Sequence, residues 1–266
     1  MFALLCAYGA FHVLSAVAGV FAYLSIIVIW PILALFRRWD GKVIAYYLMQ
    51  DYAHSAQHYG AYPDELRDRL DQFGTTIASA MQDRQWDEIL IIGHSSGAHL
   101  ATSVLADLIR AGHTARSHAP IGFLTLGQVF PMVAFLPKAD QLRADMICVG
   151  ESGDLTWVDV TAPGDGCTFA LCDPLAVTGL SGDGQRGPLV VSAAFSQTLK
   201  PETWARMKRR FFRLHFQYLC AFDNVGDYDY FRITAGSMTL AYRFADRAPS
   251  RSRITTPIAR HRGVVS

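Results

Sequence analysis

The stretch from Glu88 to Gly112 constrains the fold of this chain most, because it indicates a strand, a sharp turn and a helix in direct succession. The run Ile89 to Ile92 is apolar throughout, as in a strand of a parallel sheet that is buried on both faces. The small residues of Gly93 to Gly97 form the turn, and the residues after it are apolar on nearly every side, which is typical of a helix packed on a sheet. The sequence therefore predicts an α/β fold with a mostly parallel sheet flanked by helices.

The turn has the pattern G-x-S-x-G, with Ser95 at its centre. Gly93 and Gly97 allow the backbone to fold tightly enough to lift the serine hydroxyl clear of the sheet, an arrangement called the nucleophile elbow. Ser95 is therefore the candidate nucleophile. The alternative interpretation is a turn of small residues that performs no chemistry.

The run Gly93 to Ala101, GHSSGAHLA, resembles the α/β-hydrolase superfamily, in particular its lipase and esterase-like members. The resemblance extends from about Asp87 to Gly236 and leaves out the N-terminal third of the chain. It implies an α/β-hydrolase-like sheet and acyl-transfer chemistry at a serine. His94 belongs to the G-H-S-x-G variant of the motif and is expected to pack beneath the elbow, whereas His99 is expected to be structural.

A serine hydroxyl is a poor nucleophile at neutral pH, so acyl transfer needs an imidazole to take its proton and a carboxylate to orient the imidazole. In α/β-hydrolases these residues follow in the order Ser, Asp or Glu, His, and Ser95, Asp165 and His215 satisfy that order. The backbone N–H of Ser96 is the expected oxyanion donor, at the N-terminus of the elbow helix. This chemistry requires no metal and no organic cofactor.

The acid and the base have rivals in the sequence. Asp165 follows a predicted strand, beyond whose carboxyl end catalytic groups of open α/β sheets collect, but it also fits an ordinary turn aspartate. Asp159 and Asp173 are alternative acids. His215 lies among aromatic residues, where a histidine is often packed in the core, and after Asp165 the remaining histidine is His261 in the loose tail.

Other elements follow from periodicity and turn residues. A helix that begins after Pro63 has apolar residues at helical spacing on one face, and several strands and a closing strand or turn follow the elbow helix. The apolar residues of the helix are Leu66, Leu70, Phe73, Ile77 and Met81. The strands are Ile121–Gly127, Thr156–Val160 and Leu189–Ala193, and the closing strand or turn is Tyr228–Gly236.

The N-terminus predicts a membrane segment over residues 1–38. Met1 to Phe36 contains no Asp, Glu, Lys or Arg, and about 20 apolar residues in a helix suffice to cross a hydrocarbon core. One long helix and a hairpin of two short helices both fit. The basic residues Arg37, Arg38 and Lys42 follow directly. By the positive-inside rule, the domain after the membrane segment is predicted to face the cytoplasm. The sequence thus predicts a protein of the inner or cytoplasmic membrane, with the lipid bilayer as its partner.

Three regions follow the membrane segment. Residues 39–62 are predicted to be a juxtamembrane region, residues 63–242 an α/β-hydrolase-like catalytic domain, and residues 243–266 a basic, disordered tail that attracts anionic lipid in the alternative interpretation. His54 and His58 have the i, i+4 spacing of metal ligands, but no third ligand lies near them in the sequence, which favours an ordinary polar helix face.

The residues before the elbow depart from the pattern of the superfamily. Its members usually have several strands there, and the loop after the third strand supplies a second oxyanion donor. Here a membrane segment and a helix are predicted instead, without an H-G-G-G motif. Either the N-terminal strands are reduced, or Met1 is not the true start and a portion with those strands is missing; we expect the latter.

Composition limits the remaining classes of function. A net charge of +1 gives no argument for nucleic acid as a partner, and five cysteines without a C-x-x-C pair favour a reducing environment. The sequence predicts a membrane-anchored, cytoplasm-facing serine hydrolase for carboxylic esters or thioesters, with lipid esters as one substrate class. The alternatives are a non-catalytic membrane scaffold on a hydrolase fold and an acyltransferase with the same triad.

Overall fold

The computed structural model describes residues 5, 6, 8, 9, 12, 13, 25–43 and 45–264. They fall into two compact units, Met1–Ala53 and His54–Ser266. Of the membrane segment predicted over residues 1–38, residues 1–4, 7, 10, 11 and 14–24 lie outside the described residues.

Two helices precede the α/β part of the chain. Helix α1 spans Ser25–Val43, with Pro31 inside it, and helix α2 spans Ala45–Gln57. Within the part of the chain that the structure describes, no helix is both long enough and apolar enough to span a membrane.

The second unit is built on a four-stranded parallel sheet whose spatial order, β1-β2-β3-β4, is also the order along the chain. The strands are β1 Ile89–His94, β2 Ile121–Leu126, β3 Leu155–Thr161 and β4 Leu189–Ser192. Each connection moves one position in the same direction, so right-handed crossovers place all of the connecting helices on one face. Among the described residues the sheet begins with β1, which forms one edge and pairs with β2.

The helices before β4 and those after it contribute to different cores. Those before β4 are α3 Asp64–Gln82, α4 Gly97–Arg110, α5 Phe130–Ala134, α6 Asp140–Glu151 and α7 Pro174–Thr178. Those after it are α8 Phe195–Thr198, α9 Pro201–Met207, α10 Phe211–His215, α11 Tyr230–Thr234 and α12 Leu240–Phe244. Short 3-10 helices lie at Thr114–Arg116 and Gln217–Leu219.

Alternate residues of the inner strands enter the two cores. On β2, Ile121 and Phe123 pack with the helices before β4, whereas Leu124 and Leu126 pack with those after it. On β3, Trp157 joins the first core. Strand β2 is therefore buried along its whole length, which explains why it has no polar alternation.

Helix α3 confirms the helix predicted after Pro63. Leu70 and Met81 are buried, and Leu66 and Ile77 pack against the same core. Phe73 is an exception, because 52% of its surface is exposed. The guanidinium of Arg69 lies 5.4 Å from the centre of the Phe73 ring and covers it in place of the core.

The region predicted as a closing strand or turn at Tyr228–Gly236 contains a short helix instead. The carboxylate of Asp229 accepts a hydrogen bond of 2.8 Å from the N–H of Arg232 and so caps α11, which spans Tyr230–Thr234. A capping aspartate favours a helix over a strand because it satisfies an N–H group that has no partner within the helix.

The chain after Arg243, predicted to be a disordered tail, is tied to the body of the second unit in the structure. The N–H of Ser250 donates to the carbonyl of Val190 on β4, and the N–H of Ile254 donates to the carbonyl of Leu171 at 2.7 Å. β4 is the second edge of the sheet, and this segment supplies hydrogen-bond partners to backbone groups that an edge strand otherwise leaves open.

A polar cluster lies inside the sheet between β2 and β3. The indole N–H of Trp157 donates to Thr125 Oγ1 at 3.1 Å, and Thr125 Oγ1 donates to Asp159 Oδ1 at 2.6 Å. Asp159 is fully buried, and burial raises the pKa of its carboxyl from 3.8 to about 8. Asp159 is therefore part of the packed sheet and holds its proton at neutral pH.

Asp159→Asn should change how stability depends on pH. Between pH about 4 and about 8 the folded chain holds a proton on Asp159 that the unfolded chain has released, so the free energy of unfolding falls as pH rises, by up to about 1.4 kcal/mol per pH unit. Asparagine cannot ionise, so the variant lacks this loss. Denaturant unfolding at several pH values measures the difference. The exposed control Asp246→Asn should follow the wild type, and parallel curves for Asp159→Asn and wild type would contradict the prediction.

Candidate functional site

The turn after β1 holds Ser95 in a conformation that non-glycine residues rarely adopt. Its φ angle is +56°, in the left-handed region, which costs on the order of 1–3 kcal/mol. The N–H of Ser95 donates to the carbonyl of Leu126 at 2.9 Å, and the N–H of Ala98 donates to the carbonyl of Ser95 at 3.1 Å. The turn is thus fixed between the end of β2 and the start of α4.

The two glycines of the motif have different surroundings. A Cβ on Gly93 would lie 2.7 Å from the Cα of Ala98 and 2.7 Å from the carbonyl oxygen of Gly97. A Cβ on Gly97 would meet nothing within 4 Å. The close approach of strand and helix therefore requires glycine at position 93 and leaves room for a side chain at position 97.

Ser96 precedes the first residue of α4, a helix of 14 residues. N–H groups in the first turn of a helix have no partners within the helix, and the helix dipole favours negative charge there. The backbone N–H of Ser96 therefore lies at the N-terminal end of α4, where the helix dipole favours negative charge.

Asp165 and His215, which are 50 residues apart in the sequence, form a buried hydrogen bond. His215 Nδ1 lies 2.7 Å from Asp165 Oδ2, and 2% and 0% of the two side chains are exposed. Asp165 lies in the turn after β3, where its N–H donates to the carbonyl of Ala162 and its Oδ1 accepts the N–H of Cys167 at 2.9 Å. His215 is the last residue of α10. The turn and the helix end thus bring together the predicted acid and base.

The rival residues occupy other positions. Asp159 bonds to Thr125 inside the sheet. Asp173 Oδ1 accepts the N–H groups of two residues, 3.1 Å away in each case, and so caps α7. His261 is exposed in the C-terminal segment.

Gly127 shows how close the His215 ring lies to the elbow. A Cβ on Gly127 would lie 2.9 Å from His215 Cε1 and 2.7 Å from Tyr218 Cε2. Gly127 directly follows Leu126, whose carbonyl accepts the Ser95 N–H. The imidazole therefore packs against the backbone that holds Ser95. Its Nε2 is buried and has no hydrogen-bond partner among the described residues.

His94 contacts the same histidine from the elbow side. His94 Nε2 lies 2.9 Å from the carbonyl oxygen of His215, and the centres of the two rings are 4.6 Å apart. Burial, with a smaller effect from His215, lowers the pKa of His94. A neutral His94 can support the backbone of His215 without placing a second positive charge beside its ring.

His99 and the pair His54 and His58 lie apart from this arrangement. Burial lowers the pKa of His99 to about 4, and its Nδ1 lies 3.4 Å from the hydroxyl of Tyr62. The His54 and His58 rings are 5.9 Å apart, and in the described part of the chain they join no group of three metal-ligating side chains.

Two residues of the site were not predicted from the sequence. Tyr218 is fully buried with its ring edge-on to His215, and burial, with a smaller effect from Asp165, raises the pKa of its hydroxyl. Cys167 lies two residues after Asp165, and burial, again with a smaller effect from Asp165, raises the pKa of its thiol to about 11. The sequence offered one signal for Cys167, its position two residues after the predicted acid Asp165. For Tyr218 it offered no signal beyond the aromatic residues near it.

The chain was compared with models of protein families, with curated proteins and with solved structures. None of them matches it. Its function is therefore inferred from the strained turn at Ser95 and from the buried Asp165–His215 hydrogen bond.

Alanine at the two glycines of the turn should give opposite results. Gly93→Ala should lower the free energy of unfolding by about 1–3 kcal/mol, because backbone atoms of α4 occupy the space of the new methyl group. Gly97→Ala should be neutral or stabilise by up to about 1 kcal/mol, since alanine favours a helix over glycine. Denaturant unfolding followed by circular dichroism measures both, and equal losses in the two variants would show that this packing is wrong.

Proposed function

We propose that the chain is a membrane-anchored serine hydrolase of the α/β-hydrolase type, which faces the cytoplasm and cleaves a carboxylic ester or thioester. One observation carries the proposal: a buried Asp165–His215 hydrogen bond lies at the end of the sheet where Ser95 is held in a strained strand-to-helix turn. The arrangement supplies a nucleophile, a base and an orienting acid in the chain order of the superfamily.

The first half of the reaction uses the two nitrogens of His215 differently. The Nδ1–H of His215 donates a hydrogen bond to Asp165, which leaves the lone pair on Nε2. Ser95 Oγ attacks the carbonyl carbon while Nε2 takes the hydroxyl proton, and the N–H of Ser96 stabilises the oxyanion. Collapse of the tetrahedral intermediate breaks the bond to the alcohol or thiol, which leaves with the proton from Nε2.

The second half repeats these steps with water. Nε2 takes a proton from water, the hydroxide oxygen bonds to the acyl carbon, and the acid leaves as Ser95 Oγ regains its proton. An acceptor other than water would make the same acyl-enzyme a transferase intermediate. Neither route requires a metal or an organic cofactor.

Lipid esters are the favoured substrate class because of the surface around His215. Five cations, which we call the cationic rim, lie exposed just before and within α10, and none forms a salt bridge with a described residue. Phe211 and Phe216 beside them are 62% and 40% exposed. Cations attract anionic headgroups by about 1 kcal/mol each, and aromatic rings favour the membrane interface. The cationic rim is Arg206, Lys208, Arg209, Arg210 and Arg213.

The membrane anchor of this proposal is supported by the sequence alone. Residues 1–36 lack Asp, Glu, Lys and Arg, and Arg37 and Arg38 follow them, which favours insertion with the following domain in the cytoplasm.

A fluorophosphonate probe should label the wild-type membrane fraction on an activated serine. Ser95→Ala should abolish labelling, and His215→Ala should lower its rate by roughly three orders of magnitude or more, because each variant removes a participant in proton transfer. The controls Ser181→Ala and His118→Ala change exposed residues and should label like the wild type. Failure to label a folded wild-type chain would overturn the proposal and favour a non-catalytic scaffold.

Charge removal from the cationic rim should affect lipid substrates selectively. Lys208→Gln with Arg209→Gln should lower the hydrolysis rate of an ester in vesicles of anionic lipid by about 30-fold, because two cations that each contribute about 1 kcal/mol of attraction are lost. Hydrolysis of a small water-soluble ester should be unchanged. The matched control, Arg67→Gln with Arg69→Gln, removes the same charge from α3. Equal effects of both double variants on the vesicle reaction would contradict the lipid preference.

A further inference from the structure

A thiol that the proposed reaction does not use lies beside its acid and base. Cys167 is half-buried in the turn after β3, and its N–H bonds to Asp165 Oδ1. The Cys167 Sγ, a carboxylate oxygen of Asp165 and a ring nitrogen of His215 all lie within 4.8 Å of one another. A search of the described residues for three His, Cys, Asp or Glu side chains close enough to bind one metal ion finds this group.

The three donors suit a particular class of ion. Thiolate and imidazole together favour Zn²⁺ and related divalent transition metals over Mg²⁺ or Ca²⁺, which take oxygen ligands. Zn²⁺ binds oxygen and nitrogen at about 2.0–2.2 Å and sulfur at about 2.3 Å. Movements on the order of 1 Å would bring the three donors to those distances around one ion.

The histidine also has capacity for a further ligand. His215 Nε2 is buried without a hydrogen-bond partner in the described chain, and buried polar atoms normally have one. The ring is therefore incompletely satisfied beside the carboxylate of Asp165 and the thiol of Cys167, which is an observation independent of the cysteine.

We propose that Asp165, Cys167 and His215 form an inhibitory site for a divalent transition metal of the Zn²⁺ type, with water as the fourth ligand. The inhibition rests on the proposed function, because the metal occupies the acid and base that Ser95 needs. As the Sγ–metal bond forms, the thiol proton passes to solvent, and His215 binds through a neutral nitrogen. No electron is transferred, and a chelator reverses the reaction.

The site makes ester cleavage and metal binding mutually exclusive. With the metal bound, the imidazole cannot take the proton of Ser95 and Asp165 no longer orients it, so acylation stops. Removal of the metal restores the Asp165–His215 hydrogen bond. The enzyme would thus be active at low concentrations of free zinc and inhibited at high concentrations.

Cobalt reports ligation by the thiol directly. Purified full-length chain, kept reduced in detergent, is titrated with Co²⁺, and the near-ultraviolet sulfur-to-cobalt charge-transfer band is recorded. We expect the band in the wild type and in Cys172→Ser, a control with similar burial, and its loss in Cys167→Ser. A band that persists in Cys167→Ser, or no band in the wild type, would overturn the inference.

Fluorophosphonate labelling with and without Zn²⁺ measures the inhibition. For each protein, the labelling rate with Zn²⁺ is divided by the labelling rate of the same protein without Zn²⁺. The Zn²⁺ concentration that halves this ratio should be at least tenfold higher in Cys167→Ser than in the wild type, and unchanged in Cys172→Ser. Labelling of the wild type that Zn²⁺ does not slow would overturn the inhibitory site and leave the hydrolase standing. The cobalt band in a chain that no fluorophosphonate labels would sustain the metal site and overturn the hydrolase.

Discussion

The parallel hydrogen-bond ladder continues past the ends of the strands, and these last bonds set the position of the site. The N–H of Ser95 bonds to the carbonyl of Leu126, that of Gly127 to Val160, and that of Ala193 to Thr161, each at 2.9 Å. Each bond fixes the first residue of a turn to the neighbouring strand. The elbow, the turn against which His215 packs and the end of β4 are therefore placed by the register of the sheet, and a shift of register would separate them.

The same end of the sheet carries a concentration of unsatisfied polar groups. Buried side-chain atoms without a partner in the described residues include Asp159 Oδ2, His215 Nε2 and the Tyr218 hydroxyl. Each costs about 1–3 kcal/mol. Two apolar cores, one on each face of the sheet, offset this cost, and the strained φ of Ser95 adds to it. Stability is thus given up where the proposed chemistry takes place, as expected for groups held ready for a substrate.

The parts of the fold that follow from the sequence are those with local signals. The apolar run of β1 and the glycines after it predicted the strand, turn and helix, and the Asp165–His215 pair was chosen through a resemblance and chain order. The exposure of Phe73 was missed because it depends on the angle at which α3 packs against the core. The helix Tyr230–Thr234 was missed because the hydrogen bond to its capping residue, Asp229, outweighs the strand-like pattern of the sequence. Tyr218 could not be found, since its contact with Gly127 exists only once the helices after β4 cover the second face.

The edge position of β1 has a consequence for the dynamics of the site. β1 pairs with β2, and alternate amides along β1 point away from β2, where no strand accepts them in the described part of the chain. β2 is bonded on both sides. Hydrogen exchange should therefore be faster along β1 than along β2, because fewer bonds must break to open it. Strand β1, which leads into Ser95, is thus an edge strand with weaker protection against hydrogen exchange. Strand β2, which leads into Gly127 and so supports the His215 ring, is an inner strand with stronger protection.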